Sequence, residues 1–189
     1  IQSAGAQLNN QLQAATASNN WFTNITLQSG IDYTGFENDF VDFNQQRQLP
    51  HKLSANGPVV AAGDVNGDGL TDIVTGGTSP VTATVFLQQG NSTFKEQPLH
   101  KNFVQQTDDG GIALFDADKD GDLDIYITSG SNELVNQTIG YSDRFYFNDG
   151  KGNFTIDSTA IPKNYASKGV VKVIDYDKDG DEDLFIGEY

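Results

Sequence analysis

Short apolar runs separated by clusters of Gly, Asn and Asp dominate the chain after Trp21. Beyond residue 20, no stretch keeps a 3.6-residue apolar period over three helical turns. Apolar runs of this kind, bounded by turn-forming residues, are typical of all-β domains. We therefore predict an all-β fold over residues 21–189. Residues 1–20, which are rich in Gln, Asn, Ala and Ser, are predicted to form a flexible lead-in.

An acidic nine-residue pattern, D-x-[DN]-x-D-G-x-x-D, occurs three times, beginning at Asp64, Asp116 and Asp175. An apolar run precedes and follows each copy, so each copy predicts a strand, an acidic loop and a second strand. The runs before the loops are residues 59–62, 112–115 and 170–174, and those after them are residues 73–74, 125–127 and 184–186.

Two more strands follow the first two acidic units. Residues 85–87 and 145–147 are each followed by a Gly-containing turn and a Phe, which predicts a tight hairpin and a fourth strand, at 94–99 and 154–159. A full unit is then a four-stranded antiparallel meander. Residues 22–27 resemble these fourth strands. The third unit stops after its second strand, and we expect the open edge at 184–188 to be covered by the 22–27 strand or by another chain.

The three acidic loops hold 14 of the 26 acidic residues. Carboxylates crowded in this way repel one another unless a cation neutralises them, and Ca²⁺ accepts six to eight oxygen ligands in flexible geometry. Positions 1, 3, 5 and 9 would supply side-chain oxygens, position 7 a backbone carbonyl, and the Gly at position 6 a sharp turn. The candidate metal ligands, for up to three Ca²⁺, are Asp64, Asn66, Asp68, Leu70 and Asp72, then Asp116, Asp118, Asp120, Asp122 and Asp124, then Asp175, Asp177, Asp179, Asp181 and Asp183.

Three alternatives for these loops are an EF-hand, a magnesium site and turns without metal. An EF-hand shares the opening of the motif but requires a Glu at position 12 and flanking helices, whereas position 12 is Thr75, Ile127 or Ile186 and the flanks are β-type. Magnesium resists losing its water to an all-protein cage. Solvated Asp/Gly turns without metal are the remaining alternative, and three copies in register between matching strands argue against it.

Charge and composition limit the classes of partner and site that this chain is expected to have. The net charge is −15, and no cluster of Lys and Arg is present to bind a phosphate backbone, so nucleic acid is not expected as a partner. No apolar run is long enough for membrane insertion. Cysteine is absent, which excludes disulfides and thiolate metal sites. No catalytic or organic-cofactor-binding residue is identified, since His51 and His100 stand alone in polar sequence. The aromatic residues of segment 35–54 are expected to cover the core, with a ligand surface as the alternative.

The acidic motifs, with their flanking residues Gly63–Ile73, Phe115–Ile125 and Ile174–Leu184 and the hairpin Asn148–Phe154, resemble the FG-GAP/VCBS repeat family. The resemblance covers about residues 21–189. Residues 22–32 and 53–58 look like the VCBS proteins that often carry an ASPIC/UnbV domain. The family, which includes integrin α chains, implies β-propeller blades with calcium between the first and second strands. The implied side-chain ligands are positions 1, 3, 5 and 9 of each loop. Two full units and half of a third are too few to close a ring of normal size.

The resemblance implies an extracellular or cell-surface module, with the periplasm as an alternative location, that binds protein or carbohydrate in adhesion. A second hypothesis is a non-catalytic or substrate-binding propeller portion of a larger secreted enzyme, such as a polysaccharide lyase; a third is a rigid spacer. This chain is not expected to be an enzyme by itself. Open blade edges also predict self-association.

Overall fold

The computed structural model describes residues 21–36, 39–44, 47–55, 57–101, 104–134 and 137–188. In this part of the chain, ten strands form three antiparallel sheets, of four, four and two strands, and no closed ring. One α-helical turn, α1 (Thr26–Ser29), and two 3-10 turns, Asp42–Asn44 and Ile139–Tyr141, are also described. The all-β prediction is confirmed. The predicted lead-in at 1–20 lies outside the described residues.

Each sheet follows chain order. The first sheet consists of β1 (Val60–Gly63), β2 (Asp72–Thr75), β3 (Thr84–Gln88) and β4 (Phe94–Pro98); the second of β5 (Asp109–Phe115), β6 (Asp124–Ser129), β7 (Arg144–Phe147) and β8 (Thr155–Ile156); the third of β9 (Lys168–Ile174) and β10 (Asp183–Glu188). Each acidic loop joins the first two strands of its sheet, at the register pairs Gly63–Asp72, Phe115–Asp124 and Ile174–Asp183. The three loops therefore close corresponding ends of the three sheets, and the predicted meanders are confirmed.

Two strand predictions were wrong. Residues 22–27 do not form a strand, because α1 begins at Thr26 and the side chains of Phe22 and Leu27 are 90% and 100% exposed. Within the described residues no strand pairs with this segment, so its β-type alternation has no sheet to join. The fourth strand predicted at 154–159 has only two residues, because the Asp157 carboxylate accepts the N–H of Thr159 at 2.7 Å and makes a turn there.

The sheets pack face to face. Val74, Val85 and Leu87 of the first sheet share one core cluster with residues of the second, which are Ile125, Ile127 and Tyr146. The opposite face of the second sheet, including Phe115, Tyr126 and Phe145, packs against Val171 of the third. Period-two alternation places apolar side chains on both faces of the second sheet, which is therefore packed on both sides.

The remaining face of the first sheet is covered by the segment before it. The ring of Tyr33 meets Phe86 edge-on at 6.3 Å, and its hydroxyl donates to the carbonyl of Gly76 at 2.7 Å. Phe36 and Phe43, which were expected to cover the core, are 52% and 40% exposed. Segment 35–54 is instead anchored by buried Asp42, whose carboxylate accepts the backbone N–H groups of Leu53 and Ser54 at 3.1 and 3.0 Å.

Two buried ion pairs lie at the end of the sheets opposite the acidic loops, where β5, β7 and β9 begin. Arg144 pairs with Asp109, whose carboxylate also accepts the N–H of Gly77 at 2.7 Å and the Gln105 amide at 2.9 Å. Since Gly77 belongs to the β2–β3 connection, this pair joins the first sheet to the second. A buried charge is tolerated when it is both paired and hydrogen-bonded in this way.

The second ion pair joins the second sheet to the third. The ammonium of Lys168 lies 3.1 Å from the Asp143 carboxylate, and the two side chains are 0% and 5% exposed. The same ammonium donates to three backbone carbonyls, those of Tyr141, Asn164 and Ala166. Asp143 in turn accepts the hydroxyl of Tyr126 at 2.7 Å. Lys168 is therefore a hub that holds the β6–β7 and β8–β9 connections together.

Candidate metal centre

The three acidic loops share one backbone path. The glycine at position 6 has a φ of 83° at Gly69, 97° at Gly121 and 89° at Gly180, so the sharp turn expected there is made by a left-handed residue in each loop. Position 4 is also left-handed, with φ of 64° at Lys119 and 63° at Lys178. Nothing in the sequence indicates a left-handed conformation at these two lysines, so it could not be predicted.

Backbone N–H groups point into the loops. The position 1 carboxylate of Asp64 accepts the N–H of Gly69 at 2.8 Å, and the carboxylate of Asp116 accepts that of Gly121 at 3.0 Å. At position 5, Asp120 accepts the N–H of Asp122 at 3.1 Å, with equivalent bonds in the other two loops. The carboxylates at positions 1 and 5 thereby accept hydrogen bonds from the backbone of their own loops.

The aspartate at position 9 connects its loop to the sheet. In the first loop the Asp72 carboxylate accepts the N–H groups of Val65 and Gln88, at 3.0 and 2.7 Å. In the second loop Asp124 accepts the corresponding bonds from Ala117 and Asn148, at 3.0 and 2.9 Å. Both carboxylates are buried, and burial raises their pKa although these hydrogen bonds oppose the shift. Each carboxylate oxygen has two lone pairs, so these bonds leave acceptor capacity for a metal.

The third loop differs at this position because its sheet has two strands. Gln88 is the last residue of β3 and Asn148 directly follows β7, and the third sheet has no third strand in the described part of the chain. Asp183 accepts a hydrogen bond from Tyr176 N–H at 2.9 Å and stays exposed. The missing neighbour thus leaves the position 9 carboxylate of this loop more accessible.

Two clusters of carboxylates have oxygens close enough together to hold one cation. Asp116, Asp118 and Asp120 form one, and Asp175, Asp177 and Asp183 the other, with oxygens within 4.8 Å of one another in each. One oxygen of Asp175 and one of Asp122 are buried without a hydrogen-bond partner among the described residues. All-oxygen donors with unsatisfied carboxylate atoms fit a hard divalent cation such as Ca²⁺. The first loop carries Asn66 in place of the second carboxylate.

Asp122 shows the repulsion within the second loop. Burial first, and then the charges of Asp120 and Asp124 and the other loop carboxylates, raise the pKa of Asp122 to about 6. One of its oxygens faces the hairpin of the second sheet, since a Cβ added to Gly150 would lie 3.1 Å from it. A cation bound in the loop would relieve this repulsion.

With this geometry in view, the chain was compared with known proteins. Residues 64–127 match the model of a family described as FG-GAP-like repeat. This segment is similar to an FG-GAP-like repeat. The match begins at the first residue of the first acidic loop and ends in β6, so it includes both loops of the two complete sheets. No curated protein matches the chain. The association with VCBS and ASPIC/UnbV proteins stays a prediction.

The FG-GAP-like repeat is joined to its neighbours at the loop end as well. The Asn148 amide donates to the carbonyls of Val65 and Leu123, at 2.7 and 3.0 Å, and so links the first two loops. Lys119 of the second loop forms an exposed ion pair with Asp181 of the third. Neither contact could be predicted from the sequence, because both join residues far apart in the chain.

Proposed function

We propose that this chain is a calcium-binding β-propeller-type module that acts outside the cell by binding protein or carbohydrate. The observation that supports it best is the clustering of carboxylates in the second and third acidic loops, the second of which lies inside the segment that matches the FG-GAP-like repeat model. Calcium is the preferred metal because the donors are carboxylate and carbonyl oxygens on a flexible loop. Positions 1, 3, 5 and 9 would hold it, together with the position 7 carbonyl.

Calcium concentration supports the extracellular assignment. Calcium sites of extracellular modules bind in the 10⁻⁴ to 10⁻³ M range, where the ion is abundant outside cells. No helix among the described residues is long and apolar enough to cross a membrane.

Isothermal calorimetry tests the metal. Calcium titrated into chelator-treated protein should bind saturably, and the double variant Asp116→Asn/Asp118→Asn should lose one site. Asp32→Asn/Asp39→Asn, which removes two exposed charges outside the loops, is the matched control and should bind like the unaltered chain. Absence of binding at millimolar calcium would contradict the proposal.

The third sheet favours a second role, self-association. Phe185 stands two residues after the start of β10, as Tyr126 does in β6, yet Phe185 is 67% exposed and Tyr126 is 2% exposed. The outer edge of β10 pairs with no strand in the described residues. An apolar face beside an open edge invites another sheet. Light scattering at increasing concentration should show dimers that Phe185→Asp removes; a monomer at all concentrations would exclude this role.

A further inference from the structure

An elongated groove crosses the end of the second sheet that lies opposite the acidic loops. Two cavities of about 320 and 230 Å³ adjoin there and share four lining residues, Ile139, Ser142, Asp143 and Ser158. The larger one reaches residues 104–107 of the β4–β5 connection, and the smaller one reaches residues 161–165 of the β8–β9 connection. We call the two cavities together the loop groove.

The rim of the larger cavity is aliphatic and exposed. Ile139 is 75% exposed, Val104 is 71% exposed, and Ile156 of β8 contributes a third branched side chain at 39%. A concave site with a mainly apolar wall and few polar groups is the usual form of a ligand pocket.

The walls of the loop groove are held by the two buried ion pairs. Arg144 and Gln105 line the larger cavity, and both bind Asp109 at the start of β5. Lys168 binds Asp143, which lines both cavities, and it also donates to the carbonyl of Asn164 in the far wall at 3.1 Å. A groove fixed in this way loses little conformational entropy when a ligand enters.

The same pairing limits what the groove can recognise. The polar groups on its floor already have protein partners: Arg144 bonds to Asp109 and Gln105, while Asp143 accepts from Ser129 N–H at 3.0 Å and from Tyr126. A sugar would need many free donors and acceptors, whereas an aliphatic side chain needs only the apolar wall.

One cation distinguishes the smaller cavity. Lys163 is exposed there and forms no ion pair within the described part of the chain, although the net charge of the protein is −15. Such a lysine favours a carboxylate in the ligand and disfavours a basic one.

We propose that the loop groove binds an extended peptide segment, with an aliphatic side chain in the larger cavity and an acidic residue beside Lys163. This rests on the proposed function of a protein-binding module and names its site and ligand class. The peptide would bind at a face separate from the acidic loops, since β5 begins at the groove and ends at the second loop.

Fluorescence anisotropy with synthetic peptides tests the assignment. The probes are three fluorescein-labelled glycine-rich peptides, each with one Leu and one Asp that are adjacent or separated by one or two glycines. At least one should bind saturably at millimolar concentration or below, and its affinity should fall about tenfold or more with Ile139→Asp. Val104→Asp serves as a second rim variant if Ile139→Asp does not fold. Ile25→Asp, at a 52% exposed isoleucine outside the groove, should leave the affinity unchanged.

The charge is tested by a double-mutant cycle. Lys163→Glu, and the replacement of Asp by Asn in the peptide, should each weaken binding several-fold, and the two losses should not add. Saturable binding with an affinity that neither Ile139→Asp nor Lys163→Glu changes would overturn the proposal. The absence of binding by all three peptides would overturn it as well. Binding of an oligosaccharide such as maltohexaose, lost in Ile139→Asp while the peptides fail, would also overturn it and assign the groove to carbohydrate. Calcium-dependent melting of the same samples separates the two proposals, because it reports the loops alone.

Discussion

Carboxylate charges are compensated in different ways at the two ends of the sheets. At the groove end, Asp109 and Asp143 are buried, and each has a protein cation within its own hydrogen-bond network. At the loop end, Asp116, Asp118 and Asp120 cluster at the surface, where backbone N–H groups supply the bonds. The buried charges of the groove end are compensated by protein cations, whereas the carboxylates of the loop end would be compensated by the cation that we propose.

The two ends also use different contacts to join neighbouring sheets. The ion pairs of Arg144 and Lys168 link neighbouring sheets without any ligand. At the loop end, the Asn148 amide crosses from the second sheet to the first. We therefore expect calcium removal to loosen the loop end while the groove end keeps its packing.

The largest expected effect on stability comes from breaking the ion pair of Arg144 and Asp109 at the groove end. Arg144→Met leaves the carboxylate of Asp109 buried without its cation and should destabilise the protein by about 3–5 kcal/mol, equally with and without calcium. Urea denaturation measures it. The double variant Arg144→Met/Asp109→Asn should recover much of the loss. Equal stabilities of the single variant and the unaltered chain would show that the pair is not required.

Calcium removal should have the next largest effect. Each occupied loop stabilises the fold by about 2.7 kcal/mol when calcium is 100-fold above its Kd, because the ion binds the folded loop far better than the unfolded chain. Asp120→Ala should accordingly lower the melting temperature more in calcium than in chelator, as scanning calorimetry would show. If chelator leaves the melting curve of the unaltered chain unchanged, the loops have no metal-linked structural role.

In calcium-free protein, replacing Asp122 is expected to have a smaller effect on stability, and of opposite sign. Its raised pKa means that the folded protein binds this proton more tightly than the unfolded chain does, so the contribution to stability falls as pH rises from about 4 to about 6. Asp122→Asn removes the repulsion and should stabilise calcium-free protein by about 1 kcal/mol at pH 7.5, allowing for solvent screening. At pH 4 the gain should vanish. Denaturation series at the two pH values decide, and a gain that does not depend on pH would contradict the repulsion argument.

The smallest expected effect concerns the calcium affinity of the first acidic loop. The first loop has Asn66 where the others have Asp118 and Asp177, so it should bind calcium more weakly. Asn66→Asp should raise its affinity several-fold in a calorimetric titration. Asn91→Asp in the β3–β4 turn adds the same charge outside the loop and is the matched control. Identical titrations of the two variants would show that net charge, and not the ligand, sets the affinity.

The strands and loops could be predicted because their signals are local. Apolar runs of period two, Gly-containing turns and the position 6 glycines lie within a few residues of the structure they specify. Segment 22–27 shows where this reasoning fails: its alternation resembles a fourth strand, but a strand requires a neighbouring edge, and none in the described residues lies beside it. Whether a carboxylate is buried depends likewise on partners distant in sequence, as Asp72 and Asp183 show.

The sequence by itself determined the antiparallel meanders and the three acidic loops, because spacing and residue type act over short distances. Only the tertiary structure decided that Tyr33 covers the first sheet, that Asp124 is buried by the end of β7, and that Arg144 and Lys168 hold the groove. These features are contacts between segments many residues apart. Their energies depend on burial and on the distance between charged atoms, which are properties of the packed sheets.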